Sequence, residues 1–152
     1  MWIYIFMNEL AYSVVCNLLY IKAIRFNFEE PFVLTSGIQS PVYCDNRISL
    51  SHHSLRGMIR DAYAEIIRNE FSDVEVIAGV ATGAIAQGAL VADKLALPFI
   101  YVRGKRKEYG LMKIIEGHFE KGQKVVIIED HISTGGSSLK ALQELKDAGA
   151  NV

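Results

Sequence analysis

Val125-Val126-Ile127-Ile128-Glu129-Asp130-His131-Ile132-Ser133-Thr134-Gly135-Gly136-Ser137-Ser138 is the stretch on which the reading of this chain turns. Its four β-branched apolar residues predict a strand, Val125 to Ile128, that is apolar on both faces. Two acids leave the strand, and a hydroxyl- and glycine-rich turn then opens a helix. That helix runs over Ser138 to Ala148, with Leu139, Leu142 and Leu145 inward and Gly149 where a C-terminal cap belongs. Each part of the turn has a chemical use. The free N–H groups and positive dipole end of the helix cradle an anion, and Gly135 and Gly136 let the backbone approach a phosphate closely. Ser133, Thr134 and Ser137 add hydroxyl donors. Glu129 and Asp130 would repel that phosphate, so they suit ribose hydroxyls or a Mg²⁺ ion beside it. An ordinary capped turn also begins with Ser and Gly, but it has no need of paired acids behind an apolar strand. No G-x-x-x-x-G-K-S/T loop occurs, and no strand–helix turn carries G-x-G-x-x-G.

Working outward, the same rhythm repeats. Val74 to Val80 reads as a strand, Thr82-Gly83 as a turn, and Ala84 to Leu95 as a helix. Pro98 leads a second strand, Phe99 to Arg103, and Gly104 to Gly117 is a polar, basic, glycine-punctuated long loop or ribbon. Apolar strands alternating with amphipathic helices predict an α/β fold, a parallel sheet with helices on both faces, whose ligands sit at the carboxyl ends of the strands. Ahead of this core, which spans 74–152, lies a helical and loop-rich region over 8–70. Asn8 to Ile24 reads as an amphipathic helix. Pro31, Thr35-Ser36-Gly37 and Ser40-Pro41 mark turns, and Leu55 to Phe71 is a helix with Leu55, Met58, Ile59, Ala62, Ile66 and Ile67 on one face. Residues 1–7 read as an extension, with Met7 offering a second start. The whole, 1–152, reads as a single domain.

Composition narrows the function. With 51% hydrophobic and 22% charged residues and a formal net charge of −1, the chain is globular and lacks the basic field of a general nucleic-acid binder. Any polyanion must be met by a local cluster, and Arg103, Lys105, Arg106 and Lys107 supply one. Cys16 and Cys44 fit neither a disulfide framework nor a zinc site, so a reducing, cytoplasmic setting is expected. The run from Leu10 to Ile21 falls short of the ~20 apolar residues of a membrane span. His52, His53 and His118 show no metal spacing.

EDHISTGGSS after VVII resembles the phosphoribosyl-pyrophosphate (PRPP) motif of type I phosphoribosyltransferases, whose fold is Rossmann-like. Three further segments narrow the resemblance to orotate phosphoribosyltransferases: PFVLTSGIQSPVYCDNR (Pro31 to Arg47), VIAGVATGAIAQGALVA (Val76 to Ala92) and LPFIYVRGKRKEYG (Leu97 to Gly110). Four segments in the right order, from about Asn8 to the end, are far more specific than the PRPP motif alone. The resemblance implies transfer of phosphoribose from PRPP to orotate, giving orotidine 5′-monophosphate and pyrophosphate with Mg²⁺, in pyrimidine and UMP biosynthesis. It also implies a cytoplasmic homodimer with shared active sites. No nucleic-acid or membrane partner is expected.

The resemblance assigns residues as well. Glu129, Asp130, His131, Ile132, Ser133, Thr134, Gly135, Gly136 and Ser137 would bind PRPP, with Asp130 catalytic, Asp130 and Glu129 the candidate Mg²⁺ carboxylates, and Ser133 also touching orotate. Ala81, Thr82 and Gly83 match the loop that binds pyrophosphate through its backbone. Arg103 and Lys107 match phosphate-binding, catalytic positions on a basic loop that serves the neighbouring subunit. Tyr109 is counted with Arg103 and Lys107 among the PRPP-binding positions; it stands where the family usually has histidine, and a phenol donates a hydrogen bond without a cation near neutral pH. Many members carry lysine at the position of Thr35. His131 replaces a usual aliphatic residue, and its side chain either points away from the ligand or adds partial charge beside the phosphate. The segments over 8–70 would help cover the base. Complete members continue the sheet with further strands, so the chain reads as C-terminally truncated, with PRPP binding expected to outlast orotate binding. A phosphoribosyltransferase for another base, and a regulator that keeps the PRPP fold as a sensor, are the rival readings.

Overall fold

In the chain's computed structural model the described residues are 2–34, 37–104 and 114–152, with side chains from Glu9 onward. They form two compact units, Met1–Ile59 and Arg60–Val152. In the first, helix α1 (Trp2–Tyr20) begins earlier than its sequence pattern predicts and also ends earlier. Lys22 takes a left-handed φ of 58° there and turns the chain into β1 (Ile24–Phe26). The stretch expected to be loop is two short antiparallel ribbons. β2 (Phe32–Val33) pairs with β3 (Gln39–Ser40), and β1 pairs with β4 (Val42–Cys44). Leu18, Ala23 and Leu55 form a small core with Val14, Ile48 and Met58 around it. Leu55 and Met58 come from the start of helix α2 (His53–Glu70), which follows a 3₁₀ turn over Asn46–Ser51.

The second unit holds the α/β core. Strand β5 (Val76–Val80) is buried along its whole length, as a strand covered on both faces must be. Helix α3 (Ala84–Leu95), β6 (Phe99–Val102), β7 (Ile115–Glu116), β8 (Val125–Ile128) and helix α4 (Gly136–Asp147) follow. The sheet order is β7-β6-β5-β8, with β5 parallel to β6 and β8 and β7 antiparallel to β6. Alternate residues of β5 serve opposite faces. Val76, Ala78 and Val80 pack with Ile100, Val102, Ala141 and Leu145 on the α4 side. Ile77 packs with Ala84, Val91, Ile128 and Ile67 on the side of α3 and α2. The expected parallel strands with helices on both faces are therefore present, with β7 added as an antiparallel edge. Leu139 departs from expectation: it is 63% exposed. The inward stripe of α4 is centred on Ala141 and Leu145, one turn apart, and Leu139 lies two positions before Ala141, outside that stripe. The ribbon reading of Gly104–Gly117 holds at its base, where Arg103 N–H donates to Ile114 O at 2.8 Å and β7 pairs with β6. No helix among the described residues is long and apolar enough to cross a membrane.

Close approach of α3 to β5 depends on Gly79. A Cβ there would lie 2.7 Å from the carbonyl oxygen of Ala84, a backbone atom that cannot swing aside. Gly79→Ala is therefore expected to cost about 3 kcal/mol by overpacking. A fall in melting temperature of roughly 6–12 °C by calorimetry would match that cost. An unchanged melting temperature would contradict the close approach.

Candidate active site

The site forms where the sheet's parallel strands end. Beyond β5, the Ala81 N–H donates to Val102 O at 2.9 Å, which ties the turn to the end of β6. The Ala81–Thr82 peptide is cis, and Gly83 then stands as N-cap of α3. Beyond β8, Glu129 and Asp130 emerge half-buried, followed by exposed His131, Ile132, Ser133 and Thr134. Gly135 is N-cap of α4 at φ 77°, Gly136 opens the helix, and Ser137 is exposed beside it.

The two acids diverge. Glu129 turns toward α4: its Oε2 accepts from Ser138 Oγ at 3.0 Å, and its Oε1 from its neighbour's backbone N–H at 3.2 Å. Asp130 reaches toward the turn after β5. A Cβ on Gly83 would stand 2.2 Å from Asp130 Oδ1 and 2.5 Å from Cγ and Oδ2. Gly83 has ordinary helical dihedrals, φ −62° and ψ −42°, so the carboxylate, and not the backbone angle, is what excludes a side chain here. The Asp130 carboxylate thus sits at the positive end of α3. It joins the candidate pyrophosphate loop to the candidate ribose loop.

Burial raises the Glu129 carboxyl above its ordinary value; the Ser138 hydrogen bond opposes that shift, the Asp130 side chain adds to it, and the Asp130 backbone N–H opposes it. Tyr63, on α2, donates from Oη to the Glu129 carbonyl oxygen at 3.0 Å. Burial pushes its phenol up, and the charges of Asp130 and then Glu129 push it further, so the phenol stands near both acids.

Of the remaining sequence-predicted residues, Arg103 lies at the end of β6 with its guanidinium 3.4 Å from Glu116 Oε1. Next to it, Lys140 of α4 donates to the Gly104 carbonyl at 2.7 Å and so anchors the base of the basic segment. Lys107 and Tyr109 lie outside the described residues. Thr82, Gly83, Glu129 and Asp130 come together at one end of the sheet. Tyr63, Ser138 and Lys140 were not singled out by the motifs. Ser138 lies at the end of the quoted motif without a role assigned to it, and Tyr63 lies one turn from both Ile59 and Ile67 on the inward stripe of α2.

The arrangement offers backbone N–H groups at two helix starts for anions, hydroxyls beside one of them, and two carboxylates between them. Two carboxylates are a fitting donor set for Mg²⁺, which takes one or two protein oxygens and draws the rest from water and substrate phosphates. Among the described residues no group of three or more His, Cys, Asp or Glu forms a closed metal cage.

Residues 49–152 match the phosphoribosyl transferase domain family. The orotate phosphoribosyltransferase of Cytophaga hutchinsonii is 51% identical over 92% of this chain and 67% of its own length. That of Porphyromonas gingivalis is 50% identical over 96% of this chain and 70% of its own. Among solved structures, the orotate phosphoribosyltransferase from Aeropyrum pernix superposes with a TM-score of 0.80 at 32% identity, covering 91% of this chain and 76% of that one.

Proposed function

Because this chain belongs to the orotate phosphoribosyltransferase family, we propose that the two strand-end turns of its α/β core hold the substrates of that family's reaction. The reaction transfers phosphoribose from PRPP to orotate, giving orotidine 5′-monophosphate and pyrophosphate. The observation that carries the assignment is the Asp130 carboxylate seated on Gly83, which brings the ribose-type loop and the pyrophosphate-type loop to one point. PRPP needs both together, since its ribose carries a 5′-phosphate on one side and a pyrophosphate on the other.

Bond breaking at the anomeric carbon leaves positive charge on the ribose and a highly charged leaving group. The chain's task is electrostatic. The start of α4, with Ser133, Thr134, Gly135, Gly136 and Ser137, is suited to the 5′-phosphate. Asp130 and Glu129 are suited to the ribose hydroxyls and, by donor chemistry, to Mg²⁺, which when bound would neutralise pyrophosphate charge. Ala81, Thr82 and Gly83 offer backbone to the pyrophosphate, and Arg103 and Lys107 offer cations. The family resemblance, in which the basic segment serves a neighbouring subunit, supports a homodimer with shared sites. Ser133, just past the acids, is the motif residue suited to touch orotate.

A pyrophosphate-release assay with PRPP, Mg²⁺ and a panel of bases tests the reading. Release is expected with orotate and not with adenine, hypoxanthine or uracil. Release driven by another base and not by orotate would reassign the substrate.

A further inference from the structure

Tyr63 lies far from the motifs in sequence, on α2, yet its phenol reaches the main chain between the last residue of β8 and Asp130. The ring packs in the apolar layer with Ile67, Ile77 and Ile128, so it is held by the same core that sets β5 and β8. A tyrosine has only two side-chain torsions, and one buried on its ring face presents its hydroxyl from a fixed point at little entropic cost. Its acceptor, the Glu129 carbonyl, belongs to the peptide unit that carries the Asp130 nitrogen. Rotation of that peptide would swing Asp130 off Gly83, where its carboxylate fills the space a Cβ would take. The hydroxyl therefore acts on the peptide whose angle decides where the carboxylate points.

We propose that Tyr63 is a positioning residue for PRPP binding: its hydroxyl fixes the Glu129–Asp130 peptide so that the Asp130 carboxylate stays seated at Gly83. The inference rests on the assignment of PRPP to these two turns. Tyr63→Phe keeps the ring and its packing and removes one donor. It is expected to raise the KM and the calorimetric Kd for PRPP about five- to tenfold, the worth of one well-placed hydrogen bond. Melting temperature is expected within about 3 °C of the parent, and kcat at saturating PRPP within twofold. Ile67→Val, on the same helix and in the same core, serves as the structural control. It is expected to lower the melting temperature and leave the PRPP KM unchanged. Parental KM and Kd for PRPP in Tyr63→Phe would overturn the inference, and so would an equal KM increase in Ile67→Val. A parent chain that binds no PRPP would instead overturn the assignment on which the inference rests.

Discussion

Gly83→Ala is expected to leave the protein folded and to weaken PRPP binding by about 10- to 100-fold. The new methyl group would stand 2.2 Å from Asp130 Oδ1, well inside contact distance. The backbone tolerates alanine at φ −62°, ψ −42° without strain, and the obstructed group is a side chain that can rotate. The fold therefore survives while the carboxylate is driven from its seat. Losing a hydrogen bond to a charged group costs about 1.5–3 kcal/mol, which sets the size of the effect. Asp130→Asn is expected to have a similar effect, and the double variant to be no worse than either alone, because both act through one carboxylate. Calorimetric titration of PRPP into the four proteins measures the cycle. Full additivity of the two losses would show that Gly83 acts on PRPP independently of Asp130.

The second large effect concerns the basic segment. Lys107→Ala is expected to lower turnover about 10²–10³-fold, as removal of a positioned electrostatic stabiliser does. If each site of a homodimer takes Lys107 from one protomer and Asp130 from the other, then Lys107→Ala mixed with Asp130→Asn yields hybrids with one intact site. Activity is expected to recover toward a quarter of the parental value when the two exchange freely in equal amounts, because half the dimers are hybrids and each carries one of two sites. A mixture with proven exchange and no recovery would place Lys107 and Asp130 on the same protomer.

Much of this architecture was legible because the strands are short, apolar on both faces and separated by helices of ordinary length. Val125–Ile128 and Ala84–Leu95 stand where their periodicity puts them. The family was legible for a different reason, since four motifs in order are hard to arrive at by chance. What escaped was long-range geometry. That Asp130 leans on Gly83, that Glu129 leans on Ser138, and that Tyr63 reaches the Glu129 carbonyl cannot be read from periodicity, because each contact depends on how two separate elements are rotated. Gly83 illustrates the gap. Its motif matches a loop that meets pyrophosphate through its backbone, whereas the structure sets a carboxylate of the same chain against it. Leu139 illustrates another: three leucines at a spacing of three drift around the helix, and the burial of Ala141 decides which edge of that arc faces the sheet.

The order of strands in the sheet also bears on how the protein reaches its native state. Within β5, Ile77 pairs with Phe99 across a single helix, but with Val126 across more than twice that length of chain. Each doubling of a closed loop adds about 0.6 kcal/mol of entropy to be overcome, and distant pairings form late. The β5–α3–β6 segment is thus expected to form first, with β8 docking onto it afterwards. The paired acids travel with β8, so the turn after β5 is expected to form before the carboxylates arrive beside it. Side-chain changes along β8 accordingly fall mainly on the rate of unfolding, and changes in α3 on the rate of folding.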